Sequence, residues 1–151
     1  MIGLLLVGAV LAADDNEDRY LCDVSIGAGN HYGTVGVGAG CGITPMLGLH
    51  LGSGVDGIAG EVRIFPQPEQ FPSVFLAVGY APVAYFSLLG ESYTVEGPTL
   101  QVGAVRRRGR LSASGGAGIG YADLGLLGST TEIVVDLAVG VNFGTRKSDK
   151  E

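Results

Sequence analysis

Glu132-Ile-Val-Val-Asp-Leu-Ala-Val-Gly-Val-Asn-Phe143 is the stretch whose reading decides the fold. Its apolar residues recur at every second position. Ile133, Val135, Leu137, Val139, Val141 and Phe143 fall on one side, and Val134, Asp136, Ala138, Gly140 and Asn142 on the other. A helix repeats at about 3.6 residues, whereas a strand sends successive side chains to opposite faces. The segment therefore reads as a β-strand with one continuous apolar face and one small, partly polar face. About a dozen residues is long for a soluble strand and suits a tilted strand that crosses a bilayer.

Outward from this stretch, the same design recurs along the chain. Cys22, Val24, Ile26 and Ala28 alternate with Asp23, Ser25, Gly27 and Gly29; the turn residues Asn30-His31-Tyr32-Gly33 follow. Val35, Val37, Ala39, Cys41 and Ile43 then alternate with glycines. A hairpin centred on His31 and Tyr32 sets Cys22 opposite Cys41 on the apolar face. That register permits a cross-strand disulfide, the alternative being two small thiols packed side by side. Leu47, Leu49 and Leu51 mark a third strand, with His50 on the opposite face. Ile58, Val62 and Ile64 mark a fourth, with Glu61 and Arg63 two apart on its polar face, which suggests an internal ion pair. A long fifth strand is expected within 71–90, with Val74, Leu76, Val78 and Tyr80 outward and a bend near Pro82. Residues 91–98 read as a polar loop, 99–107 and 111–121 as strands six and seven, and 123–131 as a second loop. The tally is about eight strands joined by turns, with no helix needed, and short links imply antiparallel up-and-down order.

Face polarity separates a soluble barrel from a membrane barrel. One face collects Val, Ile, Leu, Ala and Tyr; the other collects Gly, Ser, Thr and the charged residues within strands. Turned inward, that many branched apolar side chains overfill a small barrel and leave a water-facing surface made mostly of glycine. Turned outward into lipid, the pattern is self-consistent, provided that the sheet closes and pairs every backbone group. The sequence thus predicts an all-β fold: a closed antiparallel up-and-down transmembrane β-barrel of about eight strands over 20–143. Ahead of it, 1–13 reads as a secretory signal peptide with an apolar run and small residues before Asp14. An acidic segment, 14–19, and a polar tail, 144–151, flank the barrel. In an exported protein the two cysteines meet oxidising conditions.

This pattern, with a signal peptide, eight alternating strands and a last strand ending in the aromatic Phe143, resembles the small outer-membrane β-barrel proteins of Gram-negative bacteria, the OmpA/OmpX-like group. The resemblance spans 20–143. It implies residence in the cell outer membrane, the lipid bilayer as partner, and Phe143 as the assembly signal read by the outer-membrane insertion machinery. It also implies that the end carrying the termini is periplasmic. Tyr20, Tyr80, Tyr121 and Phe143 are the candidates for aromatic belts at the membrane surfaces.

Reactive chemistry is sparse. Gly36, Gly38, Gly40 and Gly42 have the period of a strand face and not of a phosphate cradle. Two distant histidines and two cysteines make no metal-ligand cluster. A net charge of −6 speaks against a nucleic-acid partner. His50 with Ser53 and Asp56 is the sole catalytic grouping on offer, and a turn beside a lumen histidine is its better reading. We therefore expect a monomer with no enzymatic activity, cofactor or metal. Asp23, His50, Glu61, Arg63, Gln101 and Asp136 are expected to reach across the lumen as a hydrogen-bonded, watery network that leaves no wide pore, with Asp136 finding Arg63 or another donor. The Arg106–Arg110 cluster reads as a solvated turn, or else as a contact for anionic headgroups or peptidoglycan. The alternatives in function are a narrow pore or transporter for small solutes, and a secreted soluble barrel binding an apolar ligand.

Overall fold

The computed structural model describes residues 20–67, 72–88 and 91–145. The signal-like segment 1–13, the acidic segment 14–19 and most of the polar tail lie outside the described residues. Eight strands follow in chain order: β1 (Tyr20–Gly29), β2 (Thr34–Thr44), β3 (Leu47–Gly54), β4 (Gly57–Ile64), β5 (Ser73–Leu88), β6 (Glu91–Arg108), β7 (Leu111–Asp123) and β8 (Ser129–Thr145). Each pairs antiparallel with its neighbour in sequence, and β8 returns to β1, which closes the barrel. The all-β, eight-stranded, up-and-down architecture expected from the two-residue period is present.

Registers around the barrel place the apolar face on the outside. From Cys22, successive partners are Cys41, Leu49, Val62, Val78, Leu100, Ile119 and Ile133, one per strand. Continuing in the β8–β1 register, the path meets the line of β1 about ten residues beyond its start, a stagger that tilts the strands by about 40°. The apolar row of every strand is exposed, as Leu51 (65%) and Ile133 (79%) illustrate. Phe65, Phe75, Ala77 and Val105 pack inside near the rim where β1 begins, here called the lower rim. Val83, Ala84 and Ala122 pack inside near the upper one.

Three boundaries differ from the sequence reading. Residues 91–98, expected as a polar loop, are strand, paired with β5 as far as Leu88↔Glu91. Beyond the rim the two strands satisfy each other's ladder, so polar side chains there do not signal a loop. Tyr93, Thr94 and Val95 suit extended backbone, and Phe86 stacks on Tyr93 at 5.5 Å. Within 123–131, Asp123 belongs to β7 and 129–131 to β8, which also runs on past Phe143 to Thr145. The bend expected near Pro82 is a register shift between Pro82 and Ala84, where the missing proline N–H interrupts the ladder.

The β1–β2 hairpin sets Cys22 opposite Cys41, and the two are joined in a disulfide. The bridge closes a loop of sequence separation 19, for which unfolded-chain entropy predicts about 3 kcal/mol of stabilisation. A C22S/C41S variant is therefore expected to unfold at lower denaturant by up to that amount, measured by urea titration of the folded protein.

Candidate functional site

The chemistry of this barrel is concentrated in its lumen, and a turn from its upper rim supplies part of it. Asn30–Tyr32 forms a short 3-10 turn between β1 and β2 that folds into the barrel instead of standing above it. His31 and Tyr32 are each 1% exposed. The chain enters and leaves through left-handed or glycine-type backbone at Gly29 (φ 127°) and Gly33 (φ 53°). Asn30 pins the entrance, its Nδ2 donating to the Pro82 carbonyl at 2.7 Å and its Oδ1 accepting from the Val135 N–H at 3.2 Å.

The glycine face makes room for this turn. A Cβ on Gly27 would fall 2.7 Å from the Tyr32 ring, and one on Gly38 2.8 Å from both Tyr32 and His50. On Gly52 it would overlap the His31 carbonyl oxygen, and on Gly36 or Gly54 that of Tyr32. The glycine face is the surface against which the turn packs. Gly52→Ala sets a methyl against backbone that cannot rotate away and should cost about 1–3 kcal/mol. Gly60→Ala meets only the flexible end of Leu51 on the outer face and should be close to neutral. Urea midpoints of the two refolded variants separate these outcomes, and equal midpoints would count against a packed turn.

Asp136 on β8 is the anchor. Its Oδ1 accepts the His31 backbone N–H at 2.7 Å, and its Oδ2 accepts the Gln101 amide at 2.6 Å. The His31 ring approaches the same Oδ2 through Nδ1 at 2.8 Å. A carboxylate oxygen only accepts, so Nδ1 carries the proton. The 2.9 Å separation of Gln101 Nε2 from that nitrogen is then two donors sharing one acceptor. The far side of the ring, Nε2, lies 3.3 Å from the Thr99 hydroxyl and 3.6 Å from Glu61 Oε2. Of the two expectations for Asp136, Arg63 or another lumen donor, the structure shows the second: His31 and Gln101 serve it, while the Arg63 guanidinium is taken by Glu61, its Nε donating to Oε1 at 2.7 Å. Below, the Tyr32 hydroxyl joins His50 Nε2 and Ser25 Oγ, both at 3.1 Å.

Five of the six residues expected to form the lumen network, His50, Glu61, Arg63, Gln101 and Asp136, thus sit in one connected cluster. Asp23 lies lower, in electrostatic reach of Arg107 and Arg63. Among the described residues the buried Arg107 Nε and both polar side-chain atoms of Asn142 make no hydrogen bond to protein, and neither do His50 Nδ1 and Glu61 Oε2 in the cluster above. Sequence reading missed His31, Tyr32, Ser25 and Thr99. The signal available was volume: an eight-stranded barrel fills its interior with side chains, and glycines flanking one turn leave that turn to do it.

The suggested grouping of His50, Ser53 and Asp56 is not assembled, because His50 is buried inside while Ser53 is exposed on the other face. Asp136, His31 and Thr99 do stand in the order acid, imidazole, hydroxyl. With Thr99 only 4% exposed, however, the hydroxyl faces packed neighbours. Among the described residues no three His, Cys, Asp or Glu side chains are arranged to hold a metal ion. Fold and site together define a class: a closed eight-stranded antiparallel barrel, apolar outside, with a polar lumen occupied by its own first turn. Comparison of the chain with protein-family models, curated proteins and solved structures finds no match.

Proposed function

We propose that this chain is a monomeric outer-membrane β-barrel of the OmpA/OmpX-like kind, closed to solutes and serving a structural or surface-interaction role without enzymatic chemistry. The observation that carries this reading is the unbroken apolar exterior set against a polar, charged interior. On β8 the outward row runs from Ile133 to Phe143. About ten steps of about 3.3 Å, tilted by about 40°, rise about 25 Å, the height of the apolar band in barrels of this kind. A water-soluble protein exposes apolar patches of a few hundred Å² at most, far less than a belt around a whole barrel. Tyr80 and Tyr121 lie outward toward the upper rim and Phe143 toward the lower, all about half exposed, as side chains that sit at headgroup level do. In this reading Phe143 is also the aromatic by which the insertion machinery recognises the last strand.

Neither alternative gains support from the lumen. An apolar ligand would have to enter an interior lined by Glu61, Arg63, His50 and Asp136, and a pore would have to pass Tyr32 and His31. The test is extraction and gel mobility. The protein should require detergent, and the unboiled form should migrate differently from the boiled form in SDS. Solubility without detergent together with no heat-dependent shift would overturn the proposal.

A further inference from the structure

The charges of this barrel are divided between its ends. Arg63, Arg106, Arg107, Arg108 and Arg110 are the only Lys or Arg between positions 20 and 145. All lie toward the lower rim, at the end of β4 or in and beside the β6–β7 turn. The upper end carries Asp56, Glu91, Glu96, Asp123 and Glu132 and no cation. Two of the five arginines serve the lumen: Arg63 holds Glu61, and Arg107 points inward on the side of Val105 and Gln101. The other three do not. Arg106 and Arg108 continue the outward row of Leu100, Val102 and Ala104, so the apolar face of β6 ends in two guanidinium groups. Arg110 sits at the exposed tip of the turn. Its carbonyl accepts the Asn142 N–H at 2.8 Å, which fastens the turn against β8 beside Phe143. The φ of 53° at Gly109 gives the tight reversal this requires.

We infer that Arg106, Arg108 and Arg110 form a docking surface for anionic phospholipid headgroups in the leaflet at the lower rim. The inference rests on the membrane reading above and adds the lipid class and the leaflet. Phosphate is the group that chemistry places just outside an apolar belt, and guanidinium binds it with paired N–H donors. The continuity of the arginines with the belt and their position beside an outward aromatic put them at headgroup depth. The acidic, cation-free upper rim gives the same phosphate nothing to bind, so the preference belongs to one leaflet.

The folded full chain in phosphatidylcholine bilayers, probed with spin-labelled phosphatidylglycerol or spin-labelled phosphatidylcholine, tests this. At low salt the wild type should hold the anionic probe roughly threefold more strongly than the zwitterionic one, and the preference should fade at high salt. R106Q/R108Q/R110Q should bring the ratio close to one while keeping the heat-dependent gel shift. D56N/E91Q/E96Q at the upper end should leave the ratio unchanged. No preference in the wild type, or a preference that survives the triple arginine change, overturns the inference. So does its loss to added inorganic phosphate at constant ionic strength, which would assign the surface to the free anion. A preference that emerges only on neutralising Asp14, Asp15, Glu17 and Asp18 would mean that the chain's own acidic segment occupies the rim, which also overturns it. Failure to fold into bilayers at all removes the membrane reading instead, so the two failures are distinguishable.

Discussion

Asp136→Ala is expected to release the Asn30–Tyr32 turn from the lumen and to convert a closed barrel into a conducting one. Three donors lose their acceptor at once: the His31 backbone N–H, the His31 ring and the Gln101 amide. Each buried donor left without a partner costs about 1–3 kcal/mol, so the variant should lose about 3 kcal/mol or more in urea unfolding. Asn30 keeps its bonds to the Pro82 carbonyl and the Val135 N–H, and the Tyr32 hydroxyl its bonds to His50 and Ser25, so the loss falls on His31, the deepest point of contact with β8. In planar bilayers the wild type should show no large, stable openings, and the variant should show them. Asp136→Asn keeps an acceptor for the His31 N–H and should fall between the two. A variant that loses stability yet stays silent would mean that Arg63, Glu61 and His50 close the lumen without help from the turn.

The second large effect concerns the outer face. Leu137→Arg places a cation on a side chain that is 51% exposed in the middle of the outward row of β8. Under the membrane reading this costs about 2–4 kcal/mol at the bilayer midplane, enough to block insertion of a small barrel. The neighbouring Ala138 is 8% exposed and faces inward, paired with Gly27 and Ser114. An arginine there would be rejected by packing against the tucked turn, so the informative control is the small polar change Ala138→Ser. Leu137→Arg should abolish the folded, unboiled gel band in vesicle refolding, whereas Ala138→Ser should retain it. Equal yields for the two variants would mean that the outer face does not meet lipid.

Both predictions turn on the same strand, and it marks the limit of sequence reading. The outward position of Leu137 and the inward position of Asp136 follow from a period of two, which is a local property. Strand geometry forces it on any residues in the segment. The same holds for the Cys22–Cys41 pairing, because partners in a hairpin are set once its turn is located, and for Glu61 with Arg63, two apart on one face of one strand.

What Asp136 binds is not local. His31 stands 105 positions away, and the two meet only because β8 closes on β1 and the turn between β1 and β2 bends inward. Asn30-His31-Tyr32-Gly33 reads as a turn whichever way it points. The extension of β5 and β6 above the rim was hidden for a similar reason, since a free hairpin needs no buried face to pattern its side chains. Sequence alone therefore determined the strand count, the order, the two faces and the near-neighbour pairs, all of which are consequences of backbone period and short connections. Only the closed tertiary structure decided which way the first turn points and which donors Asp136 receives, because that choice depends on the volume the glycines leave empty inside the barrel.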